Sequence, residues 1–151
     1  MPPRGLVAIM LLAAALHAAG MARSPLPAQD GLKFLRLARE LQSQPPSDVI
    51  RGSDQHPLYP VAVALAEPIA RIALGRGPDA WRVAGQGVSA LASILMILPL
   101  YGLARGLFDE PTAMVAALFA VLLPRLAEVG HDTLSDPLAL LLLVTALHYG
   151  L

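Results

Sequence analysis

Val83 to Leu103 runs without a single charged residue. At 1.5 Å per residue a helix of that length rises about 30 Å, the thickness of the hydrocarbon core of a bilayer. Inside lipid every backbone amide and carbonyl must find its partner within the chain, so a segment that crosses there has to be helical. Tyr101 stands near one end of the run and Arg105 lies beyond it, at the depth where a membrane helix returns to water. Composition agrees: 56% of residues are hydrophobic and 15% charged, against about a quarter charged in soluble domains, and the mean hydropathy is +0.60. The expected fold is therefore all-α, a polytopic membrane protein.

Eleven basic and 11 acidic residues cancel, which removes any general attraction for nucleic acid. With no cysteine, neither a disulfide framework nor a thiolate metal site can form. His17, His56, His131 and His148 are too scattered for a histidine cluster.

Around the central span the chain divides in order. Arg4 precedes an apolar stretch, expected as a span over about 5–21; its basic flank and the small residues Ala18, Ala19 and Gly20 also fit a signal peptide. Residues 22–82 are mixed, rich in proline, and carry Asp30, Glu40, Asp48, Asp54, Glu67 and Asp79. They are expected as a long outer loop with interfacial helices. Phe34, Leu37, Ala38 and Leu41 share one helical face and Lys33, Arg36 and Glu40 another, the pattern of a helix lying in the interface. Val61 to Leu74 holds Glu67, Pro68 and Arg71, so it is expected to pack at the membrane surface or dip into it, not to cross.

After the span at 83–104, Phe108-Asp109-Glu110-Pro111 reads as a tight turn with proline at a helix start. A return span is expected over 111–124, its face lined by Ala113, Ala116, Ala117 and Ala120 for close packing. Residues 125–136 read as a second outer loop and 137–151 as a further span. That last run rises only about 22 Å, so the chain is expected to continue past Leu151 and the 151-residue piece to be inactive alone. Reading the N-terminal segment as an export signal puts both polar loops outside.

Two loops on one side of a membrane, each with carboxylates near a helix start, can meet to form a site. The candidates are Asp30 in the first and Glu128, Asp132 and Asp136 in the second. Asp30 and Asp136, like Asp79 before Trp81, are equally explained as helix caps, since a carboxylate at the N-cap contributes about 1 kcal/mol by itself.

The order of features resembles the N-terminal part of a family-39 (GT-C-type) membrane glycosyltransferase, the group of the dolichyl-phosphate-mannose protein mannosyltransferases and the bacterial aminoarabinose transferases. The residues that carry the likeness are Asp30-Gly31, His56-Pro57-Leu58-Tyr59-Pro60, the span ending Leu100 to Phe108, the alanine-rich return helix ending at Pro124, and Ser135-Asp136. Many members hold an Asp-Glu pair where this chain has Asp30-Gly31. The resemblance implies transfer of a sugar from a polyprenyl-phosphate donor to an acceptor hydroxyl on the outer face of a bacterial plasma membrane. Asp30 would be the catalytic base, His56 or Tyr59 would orient the acceptor or line the site, Arg51 or an arginine further along the chain would hold the phosphate, and Asp136 would order the site or bind a metal. It implies a lipid-linked sugar and membrane lipid as partners. It names no certain cofactor and leaves room for a divalent metal.

Two other readings compete. A transporter would place charges inside the spans, and the central and return spans have none. A membrane scaffold would use the loop helices only to bind a partner.

Overall fold

The computed structural model describes residues 3–24 and 26–150. These form eight helices and no strand: α1 (Arg4–Arg23), α2 (Gln29–Ser43), α3 (Pro46–Gly52), α4 (Leu58–Leu74), α5 (Pro78–Leu107), α6 (Glu110–Leu122), α7 (Pro124–His131) and α8 (Asp136–Gly150). The protein is an all-α membrane protein. Among the described residues α1 and α5 are each long and apolar enough to cross a bilayer, and α6 with α7 forms a third crossing if the bent pair counts as one.

The 30-residue α5 is the axis, packed against α1, α2, α4, α6, α7 and α8. Two apolar clusters flank it. On one side Leu6, Ile9 and Ala13 of α1 meet Ile97, Tyr101 and Ala104 of α5 and Ala113, Ala117 and Val121 of α6. Ala113 and Ala117 are wholly buried, and their small side chains let α6 come close where lipid supplies no hydrophobic drive. On the other side Phe34, Leu35 and Ala38 of α2, Tyr59 and Val63 of α4, and Ala84 of α5 form the second cluster. The apolar face of α2 is thus its buried face, while Lys33 and Arg36 stay exposed.

Helix α4 runs unbroken through Pro68. It turns Tyr59, Val63 and Glu67 inward, while Leu65, Ile69 and Ile72 point out of the structure. Gln42 of α2 meets the inward Glu67, its amide 2.7 Å from the Ala64 carbonyl and 3.4 Å from Oε2.

The return stretch differs from the expected uniform span and loop. Helix α6 has 13 residues and rises only about 20 Å. The chain then bends by 60° and continues as α7 through residues read as polar loop. The cause is Pro124: it cannot donate an amide and it pushes the residue before it out of helical geometry, and Leu123 indeed sits at φ −65°, ψ 119°. Helix α7 docks by a reciprocal fit, the His131 ring lying over Gly20 of α1 and the His17 ring over Gly130 beside Ser93.

Asp109 caps α6, its Oδ1 accepting the Thr112 amide at 2.9 Å. Hydrogen bonds from Thr112, its side chain first and its amide second, hold the Asp109 carboxyl below the ordinary carboxylate value. A depressed pKa means that the stabilisation is complete above the unfolded value, about 4, and is lost as pH falls through the folded one. Asp109→Ala should therefore lower the thermal midpoint at pH 7, and the gap from wild type should close on acidification; a gap that persists unchanged at pH 2 contradicts the capping role.

Candidate functional site

The two polar stretches meet at the N-terminal half of α5. The Ala28 amide, just before α2, donates to Asp132 Oδ1 at 3.1 Å, and the Thr133 amide donates to the same oxygen at 2.6 Å. Gln86 is fully buried; its Nε2 donates to the Ser24 carbonyl at 2.9 Å, and Arg82 donates to its Oε1 at 3.0 Å. Ser89 Oγ donates to the Leu134 carbonyl at 2.8 Å and accepts from the Leu134 amide at 3.3 Å. The end of α1, the start of α2, one face of α5 and residues 132–134 are thereby tied into one seam. Thr133 is its wedge, wholly buried with Oγ1 unpartnered and packed against Gly31 of α2 and Gly85 of α5.

Asp30 sits at the outer rim of this seam, next to Gly31. It occupies the first turn of α2 but not its cap: Ala28 holds that position, without a side-chain hydrogen bond. The Asp30 carboxylate is two-thirds exposed and accepts from Lys33 Nζ at 3.1 Å. The capping explanation that applies to Asp109 thus does not describe Asp30. Asp136 opens α8, exposed, two residues beyond Leu134. Of the other acids in that stretch, Glu128 pairs with Arg125 at 3.4 Å, and Asp132 is engaged by the two backbone amides.

Tyr59 is only 2% exposed. Its hydroxyl lies 2.9 Å from both the Gly85 carbonyl and Ser89 Oγ. The Ser89 hydrogen goes to Leu134, so Tyr59 is the donor and the two acceptors compete for its proton. Phe34 meets its ring edge to face, centroids 5.2 Å apart. Burial pushes the Tyr59 phenol well above its ordinary range, Asp132 adds to the shift, and the Ser89 bond opposes it. A neutral phenol buried in this way links α4 to α5 and thence to residue 134.

Arg51 and His56 are both exposed, on α3 and on the connector to α4. Between α2 and that stretch lies an open groove of about 370 Å³, lined by Lys33, Arg36, Glu40, Asp48, Asp54 and Gln55 among others. It runs from the ion-pair partner of Asp30 to the residue preceding His56. Among the described residues no three of His, Cys, Asp and Glu converge as a metal-holding group. Gln86, Ser89 and Thr133 carried no motif; a polar residue inside an otherwise apolar span was the only signal for Gln86 and Ser89, and Thr133, in a polar loop, had none.

A family model described as dolichyl-phosphate-mannose-protein mannosyltransferase matches residues 55–151. The match takes in His56, Tyr59, the seam face of α5 and Asp136, and it begins after Asp30 and Arg51. No curated protein and no solved structure matches the chain.

Proposed function

The chain belongs to the dolichyl-phosphate-mannose-protein mannosyltransferase family, a membrane glycosyltransferase family, and from that premise we propose that it transfers a sugar from a polyprenyl-phosphate donor to an acceptor hydroxyl at the outer face of a bacterial plasma membrane. Asp30 is the base in this reading. It takes the acceptor proton as the acceptor oxygen bonds to the anomeric carbon, and the bond from that carbon to the donor phosphate breaks with inversion. The phosphate leaves as an anion, and a cation beside it lowers the barrier; Arg51 is the candidate. His56 orients the acceptor and Asp136 orders the site. Tyr59 acts indirectly, through the hydrogen bonds that hold the seam.

The observation that supports the reading is the seam. Asp30 lies outside the family match, and the Ala28–Asp132 bond with the Gly31–Thr133 contact binds its segment to residues inside it.

Sealed membrane vesicles from cells with and without the gene test the proposal. Vesicles that carry the protein should move label from a polyprenyl-phosphate sugar to acceptor on the outer face only, and should leave a nucleotide sugar untouched. Equal transfer in the two preparations, or a preference for the nucleotide donor, overturns it.

A further inference from the structure

A second groove, about 320 Å³, lies between α2 and the first turn of α5 and shares Arg36 and Glu40 with the first. Leu32, Arg36, Arg39, Pro78 and Trp81 line it. The Arg39 guanidinium stands 5.7 Å over the Trp81 ring. Unlike Lys33, Arg36 and Arg82, Arg39 has no carboxylate partner among the described residues. An arginine held by an aromatic face keeps its full charge and its planar fork of donors. Arg36 adds a second cation to the lining, and Glu40 the only anion.

The depth of this groove decides what it meets. Helix α5 has 30 residues and so rises about 45 Å, some 15 Å more than the hydrocarbon core. With Val83–Leu103 in the core, Trp81 falls at the headgroup level, where tryptophan is enriched. Leu32 is 56% exposed at the same rim, an apolar surface beside two guanidinium groups.

We propose that this groove is a binding site for an anionic glycerophospholipid: Arg39 grips the phosphate through paired N–H donors, Arg36 supports it, and the glycerol and first acyl carbons lie along Leu32, Pro78 and the indole. Two cations against one anion favour a headgroup of net negative charge over a zwitterionic one, and a groove that opens at headgroup depth with an apolar wall suits a lipid better than a soluble anion. The site is independent of the transfer chemistry and stands if that reading fails.

Trp81 is the single tryptophan of these 151 residues, and emission excited at the red edge, taken as the difference from a Trp81→Phe variant, reads this groove. In detergent micelles, phosphatidylglycerol brominated near its ester carbons should quench Trp81 saturably, and brominated phosphatidylcholine should quench only weakly. Arg39→Gln should raise the half-quenching concentration roughly tenfold, the effect of losing one charge-assisted contact to phosphate. Arg39→Lys, which keeps the charge but not the fork, should fall between. Circular dichroism of each variant should match wild type, because Arg39 is exposed. Equal quenching by the two lipids overturns the proposal. So do an Arg39→Gln curve that coincides with wild type and displacement of the quencher by millimolar inorganic phosphate.

Discussion

Asp30→Asn, introduced at the native locus, should cut sugar transfer by a factor of about 100 or more, the contribution of a positioned general base, while the amount of protein in the membrane stays unchanged. Asparagine keeps the shape and the first-turn position but cannot take a proton. The fold should not notice: the Asp30 side chain is 67% exposed and its contact is to Lys33, itself 55% exposed, and such pairs contribute at most about 1 kcal/mol. Two companion variants separate chemistry from structure. Lys33→Gln removes the same ion pair and should leave most of the transfer, whereas Asp136→Asn should cost less than Asp30→Asn because its role is to order the site. Equal losses in Asp30→Asn and Lys33→Gln would mean that the pair, and not the base, is what matters. Unchanged transfer in Asp30→Asn would sink the assignment.

The parts of this molecule legible in the sequence are those written as periods. The charge-free run at Val83–Leu103 and the alternating faces of Phe34 to Leu41 follow from burial, which acts on whole stretches, and the structure has a helix at each. Helix α7 was less legible: Pro124 marked the break, yet the seven residues of α7 after it are too few to establish a period, and residues read as loop form about two more turns of helix. Helix α4 was legible despite Pro68: Val61–Leu74 read as a helix, and α4 runs through the proline. The seam was illegible for a different reason. Asp132, Glu128 and Asp136 look alike in sequence, and only the approach of the Ala28 amide from more than a hundred residues away sets Asp132 apart. Nor could the sequence show that the Tyr59 hydroxyl meets Gly85 and Ser89.

Thr133 allows the seam to be tested without any assay of function. A Cβ on Gly85 would stand 2.5 Å from Thr133 Cγ2, and a Cβ on Gly31 would stand 2.7 Å from the Thr133 carbonyl oxygen. Both are closer than real carbon contacts, so Gly85→Ala and Gly31→Ala should each destabilise by about 1–3 kcal/mol, the usual cost of overpacking a filled interior. The two obstacles differ in kind. One is a side-chain methyl that a substitution can remove, and the other is backbone. Thr133→Ala should therefore rescue Gly85→Ala in a double-mutant cycle, with a favourable coupling of about 1 kcal/mol or more, and should leave the Gly31→Ala deficit in place. Thr133→Ala alone gives up a methyl but also a buried hydroxyl with no partner, and these effects offset each other in part, so its own cost should be small. Thermal unfolding in detergent of the three single and two double variants measures all of this. Rescue of both glycine variants alike, or of neither, would show that α2 and α5 do not close on Thr133 from opposite sides, and Asp30 would then lose its anchor to residues 132–134.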